Sequence, residues 1–264
     1  MDFLTQVVER KKEEVSLRKK ETPLEVLKDA VFYQRERISL KDALLREGSS
    51  QIIAEIKRAS PSKGLLHADL DVARVARGYL EAGVSGISIL TDLEGFGGSI
   101  DDILLVRDFL SCPILRKDFT IDAYQIEEAR AIGADVILLI ASALSPELLG
   151  DLSQYAKEIG LEVLLEVHDA DEIETHVNPY IDFLGVNNRN LKTLKVDIST
   201  SFELASRIGK EHIAISESGI SNPEAIIKLR TFGYRGFLIG ENFMKHPDPG
   251  LACKEFISKT LGDQ

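Results

Sequence analysis

From Gln51 onward, short runs rich in β-branched residues alternate with longer amphipathic runs, eight times over. The apolar runs predict strands over Ile52 to Lys57, Gly86 to Thr91, Pro113 to Lys117, Val136 to Ala141, Glu162 to Val167, Phe183 to Asn187, Ile213 to Glu217 and Gly236 to Gly240. The amphipathic runs predict helices over Val72 to Ala82, Ile100 to Leu110, Ala123 to Ile132, Pro146 to Ile159, Ala170 to His176, Ser199 to Ile208, Pro223 to Phe232 and Gly250 to Leu261. Several helical runs end at a glycine that leads into the next strand, as in EAGVSGISIL, AIGADVILLI, EIGLEVLLEV and FGYRGFLIG. That is the αβ connection of a parallel sheet. Eight such units imply an α/β fold closed as a (β/α)8 TIM barrel, with an open doubly wound sheet as the alternative. No glycine-rich dinucleotide fingerprint follows the first strand.

Residues 1–50 supply no strand. Phe3 to Lys20 reads as a charged amphipathic helix with a thin apolar stripe of Phe3, Leu4, Val7, Val8, Val15 and Leu17. Pro23 opens a second helix through about Ala30, and Ser39 caps a third over LKDALLRE. So thin a stripe cannot fold alone, so this N-terminal helical extension is expected to pack on the barrel, the whole of 1–264 forming one domain. Barrels of this size are commonly single domains.

Composition narrows the partners. With 43 acidic against 32 basic residues, the formal net charge is −11, which argues against nucleic-acid binding. Any anionic ligand must be held by a local cluster. Cys112 and Cys253 are far apart without metal-type spacing, and no apolar stretch is long enough to span a membrane. A cytoplasmic enzyme, a monomer or weak homo-oligomer acting on a small molecule, is the expectation.

Candidate chemistry lies at the carboxyl ends of the strands, where barrels of this kind carry their active sites. The first strand ends in IIAEIKRASPSKG, and its period of two puts Glu55 and Lys57 on one face. Opposite charges inside an apolar strand must pair with each other or meet a charged ligand. The third strand ends at Lys117, the fifth at Glu166, the sixth at Asn187 and the seventh at Glu217. A structural ion pair explains one such residue; it does not explain polar groups converging from five strands. After the last two strands, SESGIS and IGEN offer backbone N–H groups to a phosphate, with Lys57 on the neighbouring strand. The ligand is expected to carry a phosphate at one end.

These motifs carry a family likeness. EIKRASPSKG, SILTDLEGFGGS, LRKDFTID, LLEV, GVNNRNL, SESGI and GFLIGENFM resemble indole-3-glycerol-phosphate synthase, over essentially the whole chain and in one order. The resemblance implies ring closure, decarboxylation and dehydration of 1-(2-carboxyphenylamino)-1-deoxyribulose 5-phosphate, with no metal or organic cofactor. It implies that Lys117 is the general acid on the substrate ketone, that Glu166 serves the later dehydration, and that Lys57 contacts the substrate carboxylate. Asn187 and Glu217 would hold hydroxyls and lysines. Lys57 would depress the pKa of Lys117 and Glu55 would raise it, a balance that residue order leaves open. Arg189 would lie near the anthranilate carboxylate and Phe96 and Phe119 near its ring, while Ser60, Ser218, Gly219, Gly240 and Glu241 would form the phosphate end. The chain departs from the common pattern at Asn190, where the family usually has Asp, and at His67, where arginine is frequent.

The resemblance also places the first helix over the open mouth, and a helix of about 18 residues, roughly 27 Å long, can cross it, so Phe3 to Lys20 is expected as a lid on the anthranilate ring, with a stabilising cap as the alternative. Two rival functions are another phosphosugar barrel enzyme, similar to phosphoribosylanthranilate isomerase, and a non-catalytic binder of phosphorylated ligands. The isomerase pairs a cysteine with an aspartate, and no cysteine here ends a predicted strand. Retention of both Lys117 and Glu166 argues against the binder.

Overall fold

The computed structural model describes residues 3–60, 64–67, 69–191 and 193–261. Eight parallel strands close into a barrel: β1 (Ile52–Ile56), β2 (Gly86–Leu90), β3 (Ile114–Lys117), β4 (Val136–Ile140), β5 (Glu162–Val167), β6 (Phe183–Asn187), β7 (Ile213–Glu217) and β8 (Gly236–Ile239). Each strand pairs with its sequence neighbours, and β1 closes the ring by pairing with both β2 and β8. The strands are one residue shorter than expected at several ends, and otherwise fall where the apolar runs put them.

Three helices precede the barrel, α1 (Phe3–Glu21), α2 (Leu24–Lys28) and α3 (Leu40–Leu45). Those wrapped around it are α4 (Val72–Glu81), α5 (Ile100–Arg107), α6 (Ala123–Ala131), α7 (Pro146–Glu158), α8 (Ala170–His176), α9 (Ser199–Leu204), α10 (Pro223–Thr231) and α11 (Pro249–Leu261). Their starts are chemically marked. Asp71, Asp122, Ser145, Asp169 and Asn222 each accept a backbone N–H of the first helical turn, and Pro146 and Pro223 occupy first-turn positions. The single helix expected over Ser199 to Ile208 divides into α9 and a 3₁₀ turn over Ala205–Arg207. The turn expected after β1 falls partly on residues 61–63, outside the described residues. Its flanks, Ala59–Ser60 and Gly64–Leu65, pair as a short antiparallel hairpin.

Strand alternation sorts the core into two layers. Ile53, Leu115, Leu138, Leu164, Phe183, Ile215 and Leu238 cluster in one set, inside the barrel. Ile52, Ala54, Ile137, Leu139, Leu165 and Phe237 belong to the larger set that meets the surrounding helices. At the amino-terminal end of the barrel, α3 acts as a plug: Leu40 Cδ1 lies 2.9 Å from where a Cβ on Gly86 would stand, and Leu44 Cδ1 lies 3.4 Å from one on Gly236. Glu162, at the start of β5, fixes that plug by accepting Ser39 Oγ and Leu40 N, each at 2.7 Å.

Candidate active site

At the opposite end the interior row turns polar, and a cavity of about 690 Å³ opens. It is lined by all fourteen residues singled out in the sequence, Glu55, Lys57, Ser60, Phe96, Lys117, Phe119, Glu166, Asn187, Arg189, Glu217, Ser218, Gly219, Gly240 and Glu241. The spacing of two along a strand is what aims them: Leu115 lies in the interior layer, so Lys117 and Phe119 face the mouth, and Leu164 does the same for Glu166.

Lys117 is the centre of the site. Its Nζ donates to Glu166 Oε2 at 2.7 Å and to Glu217 Oε2 at 2.6 Å. Burial alone would lower its pKa, but the carboxylates of Glu166, Glu217 and Glu55 outweigh burial and hold it above the ordinary lysine range. Lys57, the cation expected to depress it, is held by its own partner, Glu55 Oε1, at 2.5 Å. Glu166 is the carboxylate that stays ionised. Desolvation opposes that, but Lys117 and His168 pull its pKa well below the usual range. Glu217 goes the other way, raised to about 7 by burial and by the neighbouring Glu166, against the pull of Lys117. One ammonium cannot fully compensate two buried carboxylates.

The sign of that shift gives a stability prediction. A carboxyl whose folded pKa is about 7 and whose unfolded pKa is about 4.3 contributes stability that is present below the unfolded value and lost as pH rises through 7. Glu217→Gln, always neutral, is therefore expected to raise Tm over the native chain at pH 8 and to do so less at pH 5. Thermal unfolding at the two pH values checks this, and a lowered Tm at pH 8 would contradict it. His168, whose pKa is raised, also loses its stabilising contribution as pH rises, but both chains share that group.

Asn187 is fixed in orientation: its Oδ1 accepts the Arg189 N–H at 2.9 Å, leaving its Nδ2 to donate to Glu166 Oε1 at 2.9 Å. Two interior glycines exist because carboxylates need their space. A Cβ on Gly185 would stand 2.2 Å from Glu217 Oε1, and one on Gly240 would stand 2.3 Å from Glu55 Oε1. Glu217 Oε1 and Ser60 Oγ are buried with no hydrogen-bond partner among the described residues. Ser218 and Gly219 both have left-handed backbone, φ 67° and 75°, a conformation that a serine adopts only under local constraint.

Phe96 and Phe119 face one another with centroids 6.4 Å apart, forming an aromatic wall. Arg189 lies elsewhere. Its Nη2 is 3.6 Å from Glu241 Oε2, and it bridges to Val196, whose Cγ1 would be 2.5 Å from a Cβ on Gly219. It therefore stands on the side of the glycine loops. Asn190 Oδ1 accepts the Thr193 N–H at 3.0 Å, so the amide serves the same turn-capping role that a carboxylate would. His67 Nε2 meets Met244 O at 2.5 Å, tying the loop after β1 to the segment after β8.

α1 lies by the mouth, but no residue of it lines the cavity among the described residues. Val7 packs in the cluster that holds Phe119 and Ile140, with Phe96 and Leu4 beside it. Among the described residues the helix thus braces the back of the aromatic wall. Lys11, fully buried, anchors it between Asp92 at 3.0 Å and Asp118 at 2.9 Å. Residue order does not reveal this set: LRKDF marks Lys117 but not its neighbours Arg116 and Asp118, both buried, with Arg116 on Glu128 at 2.6 Å. Deleting residues 1–20 should lower Tm, because it leaves Asp92 and Asp118 short of their buried cation. A raised KM in the same variant, from kinetics on protein shown to be folded, would add that the brace shapes the aromatic end; an unchanged Tm would contradict the anchor.

Comparison with known proteins fits this arrangement. The family model for indole-3-glycerol phosphate synthase matches residues 4–256. Indole-3-glycerol phosphate synthase of Bacteroides thetaiotaomicron is 46% identical over 256 residues, 97% of this chain and 98% of that protein. The one from Caldanaerobacter subterraneus subsp. tengcongensis is 43% identical over 261 residues, 98% of this chain and 99% of that protein. Among solved structures, one reported for the tryptophan synthase a2b2 complex of Pyrococcus furiosus superposes with a TM-score of 0.59 at 15% identity, covering 80% of this chain and 98% of that one, a likeness of fold alone. With a family model spanning nearly its whole length and relatives this similar from end to end, the chain belongs to the indole-3-glycerol phosphate synthase family.

Proposed function

We propose that this chain closes the indole ring of 1-(2-carboxyphenylamino)-1-deoxyribulose 5-phosphate, releasing carbon dioxide and water, with Lys117 and Glu166 as the proton-transfer groups. The observation that carries the reading is a buried ammonium held at 2.7 and 2.6 Å by two carboxylates in the barrel mouth. When the ring carbon attacks the ketone, negative charge develops on the ketone oxygen, and Lys117 supplies the proton that neutralises it. Its raised pKa guarantees that it carries the proton, and the transfer stays favourable because an alkoxide is a stronger base than any amine. Loss of the carboxylate as carbon dioxide restores the aromatic ring. The new hydroxyl leaves as water with a proton taken up from solvent, and ionised Glu166 removes the proton whose loss completes the indole.

The phosphate lies against Ser218, Gly219 and Gly240, with Ser60 Oγ, unpartnered among the described residues, offering a further hydrogen bond. The anthranilate ring lies on Phe96 and Phe119, and its carboxylate is reached by Lys57, while Arg189, beside Glu241, stands on the side of the phosphate loops. Inorganic phosphate is therefore expected to compete with substrate. Gly219→Asp is expected to raise KM more than it lowers kcat, through like-charge repulsion. Part of any loss comes from φ 75° and the contact with Val196, so Gly219→Ala, with the same Cβ and no charge, is the control. Equal KM for the two variants would move the phosphate elsewhere.

Both cysteines are buried free thiols away from the mouth, Cys112 just before β3 and Cys253 on α11, which favours this reading over an isomerase that needs a cysteine at the site. Free thiols also suit a cytoplasmic protein, acting as a monomer or weak homo-oligomer. Among the described residues no helix is long and apolar enough to cross a membrane. The test is indole fluorescence on adding the substrate. The chain contains no tryptophan, so a rising signal reports product alone. Binding without any rise would leave the non-catalytic reading.

A further inference from the structure

Beside Lys117 and its carboxylates stands an ion set that the proton transfers above do not use. His168 follows Glu166 by two residues, so its ring returns to the same side as β5 ends. Its Nε2 lies 3.4 Å from Glu166 Oε1, and its Nδ1 lies 3.2 Å from Glu172 Oε2. The same Glu172 oxygen accepts the His168 backbone N–H at 2.7 Å, and Glu172 is itself held in the first turn of α8, its N–H donating to Asp169. The ring is largely buried, and among the described residues Nε2 has no hydrogen-bond partner of good geometry.

A neutral imidazole has one proton. Placed between two carboxylates, it would donate to one and turn a lone pair towards the other; only the doubly protonated ring suits both neighbours. Burial works against that charge, but the two glutamates overcome it and raise the pKa to about 10. The charged groups that face Glu166 are Lys117 from β3, Glu217 from β7 across that lysine, and His168 from its own strand, with the Asn187 amide from β6. Of the two cations, Lys117 is the one that gives its proton away. From that moment Glu166 is a buried carboxylate whose strong counter-ion has gone, and desolvation would drive it to take up a proton before its own step.

We infer that His168, held as an imidazolium by Glu172, is a positioning residue that keeps Glu166 ionised and aimed while Lys117 is without its proton. The inference rests on the ring-closing reading. It assigns to the EVHDADE segment a role that neither the strand pattern nor the cavity lining supplies, since His168 does not line the cavity.

Two measurements test it. In the pH profile of kcat/KM, His168→Gln should move the acid limb to higher pH by about one unit or more, because removing a cation next to a carboxylate raises its pKa. kcat should fall with KM little changed, and His168→Lys, which restores the charge, should return the limb towards its native position. A His168→Gln profile superimposable on the native one, with only Tm lowered, would show a merely structural ring and overturn the inference. Independently of turnover, an NMR titration should find the His168 ring still protonated at pH 8 in the native chain. In Glu172→Gln its titration should fall towards the ordinary histidine value, about 6.5. A neutral His168 ring at pH 7 in the native chain would overturn the inference by itself. A native chain that forms no indole would instead fail the functional reading, and the titration would still decide the charge of the ion set.

Discussion

Lys117→Met is expected to lower kcat by about 10²-fold or more with a modest change in KM, the range for losing a general acid that acts only in the transition state. Methionine has a similar length and reach but no proton and no charge. Its removal also leaves Glu166 and Glu217 without the ammonium that holds both, at 2.7 and 2.6 Å. Glu217, already raised to about 7, should then take up a proton, so the variant should stay folded with one neutral carboxyl in the mouth. Steady-state kinetics with indole formation as readout measure the effect. Activity within about threefold of the native chain would remove Lys117 from the proton-transfer role.

Glu166→Gln separates the late step from the early one. The amide keeps the shape and its single oxygen can still accept from Lys117, at the expense of the hydrogen bond from Asn187, but it cannot remove a proton. Ring closure and loss of carbon dioxide should continue while dehydration slows by about 10²-fold or more, so a ring-closed species that still holds its hydroxyl should accumulate. Rapid quenching followed by mass spectrometry would detect it as a species one water heavier than product. Slow turnover without any such species would place Glu166 before the branch and contradict its assignment to dehydration.

The reason so much of this site can be read from residue order is the strand period. Leu115 and Lys117, or Leu164 and Glu166, share a face by spacing alone, and a barrel has only one polar end for that face to reach. What residue order does not carry is which charge meets which. Lys57 and Lys117 look equivalent as cations near carboxylates, yet Lys57 is 2.5 Å from Glu55 within its own strand while Lys117 reaches across to β5 and β7. That pairing sets the balance at Lys117 that residue order leaves open. The brace is illegible for the same reason. The partners of Lys11 are Asp92 and Asp118, some 80 and 107 positions away, and nothing in a charged amphipathic stretch marks one lysine as fully buried. His168 had a local signal, a histidine two residues past a strand-end glutamate and four before another glutamate, that spacing arguments could have used.

The central claim is that one buried ammonium and its carboxylates turn this substrate into an indole with loss of its carboxyl group. The most direct measurement supplies substrate labelled with ¹³C in that carboxyl and follows labelled carbon dioxide and indole fluorescence together. Native protein should release one labelled carbon dioxide for each indole formed, and Lys117→Met should slow both equally. Indole formation without labelled carbon dioxide, or neither product from native folded protein that binds the substrate, would contradict it.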